Sequence, residues 1–391
     1  MADRLLTLRE LNRALLARQM LLRRARLDVV PAIERLGALQ AQWPRAPYIG
    51  LWSRLAHFER ADLEAALRSA EVLKATLMRG TLHLASARDY PFYAVAATEA
   101  RRAQWASTQR QLVTFFARSL PEVREFAREG RAPITNAAKL HAELLRHAAR
   151  PRSREELIDF IAKRAKLPLE LATHLVWGFV AAHGMLVHIP ESAAFAANRA
   201  GDLVAARVVV PGLKAPAFDD AVLHTVKRHL AAFGPATVED VSSWTSIRTP
   251  PIRAAIARLG AGVRIFRDER GRTLHDLTRA PRPSPEVAAP PRFLPKWDST
   301  LLAYSPPERV RILAEGHRGA VIGKNGDVAQ TILVDGMVGG TWALARTDRE
   351  AIVDVTPFGR LGRAERTAIV DEGERLARFM APDAHSHGVR V

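Results

Sequence analysis

The stretch between residues 219 and 277 constrains the fold more than any other part of the chain. Its capping residues predict three helices in order. The first is capped by Asp219 or Asp220 and ends at Phe233, the second is a short helix opened by the capping box Thr237-Val-Glu-Asp240, and the third runs from Thr249 to Leu259. Two strands around a turn are predicted to follow, Val263–Arg267 and Arg272–Leu277. Three helices followed by a β-hairpin are the element order of a winged helix.

The same order is predicted twice more, upstream of this stretch. In residues 1–130 the predicted elements are a helix opened by Thr7, a helix opened by Asp28 that ends near Gln40, helices 61–70 and 71–77, a strand Thr81–Leu84, and helical chain from Asp89 to Phe116. In residues 131–212 they are helices opened at Thr135, Ser153 and Pro168, and a strand Met185–Ile189. We therefore predict three tandem winged-helix units at residues 1–130, 131–212 and 213–280. The repeat lies in element order and not in residue identity.

The last part of the chain has a different character. Residues 281–295 contain six prolines and are predicted to be a linker. Residues 296–391 are predicted to be a β-rich, barrel-like domain, with strands 310–314, 320–322, 329–334, 339–345 and 351–355, turns at Asn325-Gly326 and Asp335-Gly336, and a closing helix Arg363–Met380. The predicted fold class is mainly α with β (α+β), with three winged-helix units and this C-terminal domain.

The charge of the chain favours a polyanionic partner. The 58 basic residues exceed the 41 acidic ones, which gives a net charge of +17. An excess of this size is typical of proteins that bind nucleic acid or an anionic membrane surface. Arginine accounts for 50 of the basic residues and alanine is abundant, a composition that a GC-rich genome also produces.

Several kinds of site are excluded or disfavoured by composition. The chain has no cysteine, which excludes disulfides, thiolate zinc sites, iron–sulfur clusters and cysteine nucleophiles. The 13 histidines show no metal-ligand spacing. The longest uncharged run, Leu171–Pro190, contains three histidines and is interpreted as a buried helix leading into a strand. We therefore expect no metal, no cofactor and no membrane insertion.

A pair of glutamines marks the first candidate site. Pro44 biases Trp43 towards extended backbone, and in extended chain residues two apart point the same way. Gln40 and Gln42 are therefore expected to present two amides side by side, with the ring of Tyr48 close by. Two glutamines beside a helix end can also be simply solvated, and their spacing alone leaves both interpretations open.

Other stretches make this chain resemble a known family. Gln40-Ala41-Gln42 resembles the Gln-hydrophobe-Gln motif of the AlkZ-type DNA glycosylases, a winged-helix family whose YcaQ branch has Asp in place of the second Gln. The resemblance runs through nearly the whole chain, in the stretches Leu51-Trp-Ser-Arg-Leu55, Ala75-Thr-Leu-Met-Arg-Gly-Thr-Leu-His-Leu84, Phe233-Gly-Pro-Ala-Thr237, Pro291-Arg-Phe-Leu-Pro295 and Val334-Asp-Gly-Met-Val-Gly-Gly-Thr-Trp342. Because the second residue of the pair is Gln and not Asp, the motif resembles that of the AlkZ-like branch.

The resemblance implies a DNA repair enzyme that removes alkylated bases. The implied substrates are cationic purines in double-stranded DNA: N7-alkylguanine, N3-alkyladenine, and bulky adducts or interstrand crosslinks. Gln40 and Gln42 would be the catalytic residues. The chain departs from the family at Glu191–Asn198, where relatives often carry a Trp- and Arg-containing hairpin, and at Lys296 and Ser299, where many have an acidic residue and Asn.

The chemistry of two amides fits this reaction. An amide is not a base at neutral pH, but it can orient a water molecule, and its oxygen can stabilise developing positive charge. A purine alkylated at N7 or N3 is cationic and leaves as a neutral base, so no general acid is needed. Lyase chemistry needs an amine nucleophile, and none of the eight lysines lies within thirty residues of the motif. We therefore expect a monofunctional glycosylase.

Further residues are candidates for contact with DNA or the lesion. Each has an alternative structural interpretation: the wing strand around residue 81 can pack on its own helices, and a tryptophan beside prolines is as often in the core. The candidates are Trp43, Arg45, Tyr48, Arg79, Thr81, His83, Lys296 and Asp298. Asp298 is the carboxylate most suspected of joining the site.

A non-catalytic protein of the same architecture is the competing hypothesis. Three winged helices with a basic surface also describe a transcriptional regulator or an architectural protein. The discriminating feature is whether Gln40 and Gln42 line a basic concave channel, which favours the enzyme, or are capped within the first unit, which favours the regulator. The N-terminus lacks the apolar core of a signal peptide, so we expect a monomeric, cytoplasmic, nucleoid-associated bacterial protein.

Overall fold

The structure is a computed structural model that describes residues 4–198, 201–347 and 349–391. Its N-terminal part begins with a strand and ends with a β-hairpin, and comprises β1 (Arg4–Leu6), α1 (Leu8–Arg18), α2 (Val29–Leu36), β2 (Leu39–Gln40), α3 (Ala46–Arg54), α4 (Arg60–Arg68), β3 (Val72–Thr76) and β4 (Leu82–Ser86). Thr7 caps α1, as predicted, and does so through a capping box with Glu10.

The next part is mostly helical. It comprises α5 (Tyr90–Ala96), α6 (Thr98–Phe116), α7 (Arg124–Arg128), α8 (Ala137–His147), α9 (Arg154–Ala165), α10 (Leu169–His183), β5 (Leu186–His188), β6 (Leu203–Ala205) and α11 (Ala206–Val209). The strands β5 and β6 extend the hairpin of β3 and β4 into one antiparallel sheet, here named the central sheet, with the order β2-β4-β3-β5-β6. This sheet therefore contains strands of both the first and the second predicted unit. The boundary between these two units remains a prediction.

Residues 219–277, the stretch that constrains the fold most, have the predicted order of elements, but the predicted cap at Asp219 or Asp220 is wrong, because the first helix begins at Phe218 after Ala217 and both aspartates lie in its first turn. The elements are α12 (Phe218–Phe233), α13 (Val238–Thr245), α14 (Thr249–Leu259), β7 (Val263–Asp268) and β8 (Thr273–Leu277). The capping box of Thr237 and Asp240 is present, and β7 pairs antiparallel with β8. Strand β1 adds to this hairpin in parallel with β7, and local sequence does not indicate this pairing of two segments that are far apart in the chain.

The C-terminal part is β-rich, as predicted, but it is not a barrel. It comprises β9 (Arg292–Leu294), α15 (Ser299–Leu302), α16 (Arg318–Val321), β10 (Thr331–Val334), β11 (Met337–Arg346), β12 (Glu350–Pro357), α17 (Arg363–Met380) and β13 (Ser386–Arg390). The sheet has the order β13-β12-β11-β10-β9. The barrel-like prediction is wrong because α17 packs against the sheet and leads to β13 parallel to β12, so that β9 and β13 remain separate edges.

Three local predictions are also wrong. Within the predicted helix 71–77, residues Val72–Thr76 form strand β3, because β3 pairs with β4 on one side and with β5 on the other. Residues 310–314 and 320–322 lie in a 3₁₀ turn that starts at Pro306, in the turns after it and in the short helix α16. Among the described residues of the predicted linker, Arg292–Leu294 is the edge strand β9.

The C-terminal sheet packs directly on the N-terminal part of the chain. One apolar core contains Leu39 and Trp52 together with Phe293 and Trp342 of the C-terminal sheet. A second core contains Phe233 of α12 and residues of the N-terminal part, together with residues of the segment after β9. This contact brings the residues that follow β9 next to β2, which carries Gln40.

No helix in the described part of the chain combines the length and the apolar character that a membrane span requires.

Candidate active site

The glutamine motif lies on an edge strand of the central sheet. Helix α2 ends at Leu36 and not near Gln40 as predicted, because Gly37 takes the left-handed conformation (φ 75°) that ends a helix. The chain then pairs with β4, where Gln40 lies directly opposite His83 and the Ala41 N–H donates to Leu82 O at 2.7 Å. Backbone pairing with β4 therefore fixes the position of Gln40 and Ala41 independently of their side chains.

Each amide oxygen of the motif accepts a hydrogen bond from a fixed donor. Arg79 donates from Nη2 to Gln40 Oε1 at 2.8 Å, and the Leu82 backbone N–H donates to Gln42 Oε1 at 3.2 Å. A carbonyl oxygen has two lone pairs, so each can accept one further hydrogen bond. Both amides are thus oriented and still able to hold a water molecule.

Arg79 connects the motif to the third helical part of the chain. It lies in the turn between β3 and β4 with a left-handed backbone (φ 55°), and its Nη1 donates to Trp244 O at 2.9 Å. Burial, together with the nearby charge of Arg309, lowers the pKa of Arg79 to about 10. It is therefore a fixed cation at neutral pH.

The two amides face an open cleft between the N-terminal part and the C-terminal domain. The cleft measures about 600 Å³, counted as the space open to the centre of a water molecule. Its lining comprises Gln40, Gln42, Arg79 and Thr81 on one side and Lys296, Trp297, Leu302 and Asn325–Asp327 on the other. The amides therefore line a concave cleft, as the enzyme hypothesis requires, although both amide oxygens also accept hydrogen bonds from residues of the first predicted unit.

Five of the ten predicted site residues line this cleft: Gln40, Gln42, Arg79, Thr81 and Lys296. Trp43 packs against the apolar core around α3, and Arg45 lies over the ring of Phe195 at 5.3 Å. Tyr48 is fully buried, donates to Ala193 O at 3.0 Å, and has a pKa raised by burial. These three residues hold α3 in place and do not line the cleft.

His83 lies behind the motif and is fully buried. Its Nδ1 is 2.9 Å from Thr81 O, which can only accept, so Nδ1 carries the proton. Burial and the charge of Arg79 lower the pKa of His83 to about 3. The imidazole is therefore neutral at physiological pH and supports the sheet face that carries Gln40.

Asp298 lies beside the cleft, not on its wall. It is buried, caps α15, and its Oδ1 accepts from Arg54 Nη2 at 2.9 Å. Its neighbours Lys296 and Trp297 do line the cleft, and Lys296 pairs with Asp327 at 3.0 Å.

Sequence reasoning missed Trp297 and the loop Asn325–Asp327 as parts of the cleft. The Trp297 indole donates to Gly326 O at 3.0 Å, and Lys296 Nζ lies 5.1 Å from the ring centre. Trp297 also has a left-handed backbone (φ 54°), an uncommon conformation that clusters at functional sites. The available signals were an aromatic residue beside two suspected site residues and the Asn-Gly turn pair.

No three His, Asp or Glu side chains of the described residues are grouped so that they could hold a metal ion.

The chain matches known proteins along almost its full length. A sequence profile of the family described as DNA glycosylase AlkZ-like matches residues 33–379. The chain is similar to the interstrand DNA cross-link repair glycosylase of Streptomyces sahachiroi, with 27% identity over 379 residues, covering 92% of this chain and 93% of that protein. The solved structure of Streptomyces sahachiroi DNA glycosylase AlkZ has the same fold, with a TM-score of 0.76, 22% identity and 99% of both chains covered.

The family match spans the glutamine motif, the hairpin of Arg79 and the segment of Lys296 and Trp297. It agrees with the resemblance on which the sequence prediction was based. The chain therefore belongs to the AlkZ-like DNA glycosylase family.

Proposed function

We propose that the protein hydrolyses the N-glycosidic bond of cationic alkylated purines in double-stranded DNA, with Gln40 and Gln42 holding the attacking water. The observation that carries this proposal is the pair of anchored amides on one wall of an open cleft. Each oxygen keeps a lone pair for a water proton, so the water oxygen can be directed at the anomeric carbon.

The same arrangement limits the substrates. No carboxylic acid is needed for a leaving group that already carries a positive charge, and the amide oxygens can stabilise the developing positive charge of the sugar. N7-alkylguanine and N3-alkyladenine meet this requirement and uracil does not. The name of the Streptomyces relative adds interstrand crosslinks as candidates, and a cleft that is open to solvent leaves room for bulky adducts.

Double-stranded DNA is the proposed partner. The net charge of +17 favours a polyanion, and Arg79 and Lys296 lie on the cleft wall, where Asp327 pairs with Lys296. Trp297 offers an aromatic surface for a base. A regulator without catalysis is not favoured, because the family is one of glycosylases and the amides reach the cleft.

Two lysines bear on whether the enzyme also cleaves the strand. The fold brings Lys296 into the cleft, although it is far from the motif in sequence, but its ammonium is paired with Asp327 at 3.0 Å. Burial lowers the pKa of Lys74 to about 8, but Lys74 lies opposite Leu84, on the sheet face away from Gln40, and donates to Ser192 O. Neither amine is placed as a free nucleophile, so we propose a monofunctional glycosylase.

The test uses duplex DNA with a single N7-methylguanine. We expect release of the free base, a strand that stays intact until it is treated with alkali, and no covalent complex on addition of borohydride, because no free amine reaches the abasic sugar. Borohydride trapping that disappears in Lys296→Ala would identify a lyase and contradict the monofunctional mechanism. Excision of uracil at a comparable rate would contradict the proposed substrate class.

A further inference from the structure

A small polar cavity lies directly behind Gln40. It is enclosed between β2, α3 and residues 295–299, and shares Gln40, Lys296 and Trp297 with the cleft. Its volume is about 10 Å³, counted as the space open to the centre of a water molecule, which is room for about one water. Arg54, Asp298, Ser299 and Gln19 line it together with Gln40, and the Gln19 amide nitrogen is already bonded to Ala232 O at 2.9 Å.

Unsatisfied hydrogen-bonding groups belong to these lining residues. Arg54 Nε and Ser299 Oγ are both sealed from solvent and have no partner. Asp298 Oδ1 accepts from Arg54 Nη2, from Thr300 N at 3.0 Å and from Thr300 Oγ1 at 2.8 Å, whereas Asp298 Oδ2 accepts nothing from the described residues. Leaving buried polar groups unpaired is destabilising, so these lining residues favour a hydrogen-bonding molecule in the cavity.

Gln40 contributes the remaining group. Gln40 lines both the cavity and the cleft; its Oε1 accepts from Arg79, and its Nε2 has no hydrogen bond to the described residues. The residues that line the cavity thus carry two N–H groups without an acceptor, on Gln40 and Arg54, and two oxygens without a donor, on Asp298 and Ser299. A water molecule offers the matching set of two lone pairs and two protons.

We propose that one ordered water molecule in this cavity joins Gln40 Nε2 to the Asp298 carboxylate, and that Asp298 is a positioning residue for Gln40. The inference rests on the proposed function. Arg79 holds the amide oxygen and the water holds the amide nitrogen, so the amide plane is fixed on both sides. The negative charge of Asp298 polarises the amide through the water and strengthens its oxygen as an acceptor in the cleft.

The first test is a double-mutant cycle measured under single-turnover conditions with N7-methylguanine duplex DNA. Asp298→Asn keeps the shape and the helix cap, since Asn is also a good capping residue. We expect a rate roughly 10- to 100-fold lower, with unchanged affinity for DNA. In the Gln40→Ala background the same substitution should have no further effect, because Asp298 acts through Gln40. An equal loss in both backgrounds would overturn the proposal.

Ser299→Ala provides a second variant that keeps the Arg54–Asp298 ion pair. It removes one partner of the water, and we expect a several-fold lower rate with an unchanged melting temperature. A wild-type rate in Ser299→Ala would count against the water bridge. A crystal structure of the full chain should show density in the cavity within 3.2 Å of Asp298 and Gln40, and a cavity filled by a shifted side chain would overturn it.

The outcomes also separate this inference from the proposed function. If Gln40→Ala excises normally, the proposed mechanism itself fails. If Gln40→Ala is impaired while Asp298→Asn and Ser299→Ala are additive with it, only the water bridge fails.

Discussion

At the scale of single residues, Trp297 provides an aromatic side chain on the cleft wall, and a hydrogen bond holds this side chain in place. Its ring lines the cleft while its indole N–H holds Gly326 O. Stacking of a base on an aromatic ring contributes roughly 1–3 kcal/mol. We predict that Trp297→Ala lowers single-turnover excision at limiting enzyme by about 5- to 150-fold, and leaves affinity for undamaged DNA nearly unchanged, because no phosphate contact is lost.

Trp297→Phe is the matched control for this prediction. It keeps an aromatic face and the same strained backbone but loses the hydrogen bond to Gly326. If stacking matters, Phe should retain most of the activity that Ala loses. Equal losses in Phe and Ala would show that the indole acts only by anchoring the Asn325–Asp327 loop.

At the scale of elements, the turn between α2 and β2 decides where the motif lies. Gly37 has φ 75°, and a Cβ there would lie 3.3 Å from Ala232 Cβ and 3.4 Å from the ring of Phe233. We predict that Gly37→Ala lowers the free energy of unfolding by about 1–3 kcal/mol and also slows excision, because β2 starts two residues later. Urea unfolding and single-turnover kinetics measure the two effects.

Gly262→Ala is the control for a glycine without these constraints. Nothing lies within 4 Å of its added Cβ, and its φ is not in the positive range. Its free energy of unfolding should stay within about 0.5 kcal/mol of wild type. A Gly37→Ala variant as stable and as active as Gly262→Ala would contradict the role assigned to this turn.

Local signals predicted the elements that are determined locally. The capping box at Thr237 and the turn pair Asp335-Gly336 give α13 and the β10–β11 hairpin as expected. The strand β3 was predicted as a helix because its sequence has no strand alternation. Its strand conformation comes from pairing with β4 and β5, and β5 lies more than a hundred residues away in sequence.

At the scale of the whole molecule, the candidate site is assembled from distant segments. Gln40 and Gln42 were predicted from their spacing and from family resemblance, and both reach the cleft. The opposite wall comes from residues about 250 positions later, brought there by the shared core of Leu39 and Phe293. A contact between such distant segments leaves no local signal, which is why Trp297, the loop and the cavity behind Gln40 could not be predicted.

Buried histidines in several parts of the molecule predict an acid-sensitive fold. Burial lowers the pKa of His83 to about 3 and those of His183, His188 and His229 to about 4, against an ordinary value of 6.5. Between about pH 6.5 and pH 4 the unfolded chain therefore binds protons that the folded chain does not. Stability should fall on acidification, by up to about 1.4 kcal/mol per pH unit for each histidine.

Urea unfolding at pH 7, 6 and 5 measures this dependence. We expect the free energy of unfolding to decrease as the pH is lowered. In His188→Gln the free energy of unfolding should depend less steeply on pH, whatever the absolute stability of the variant. Equal stability at pH 5 and pH 7 would show that these histidines do not remain neutral in the folded protein.

The central claim is that Gln40 and Gln42 position the water that releases a cationic base. Its most direct test is single-turnover release of N7-methylguanine from duplex DNA by wild type, Gln40→Ala, Gln42→Ala and the double variant, with DNA affinity measured in parallel. Gln111→Ala, on the exposed surface of α6, is the control for a glutamine away from the site.

We expect Gln42→Ala to be about 100- to 1000-fold slower, the double variant to be slower still, and all variants to bind DNA like wild type, because a neutral amide neutralises no phosphate. Gln111→Ala should excise at the wild-type rate. Full excision activity in the Gln40→Ala/Gln42→Ala double variant would contradict the account.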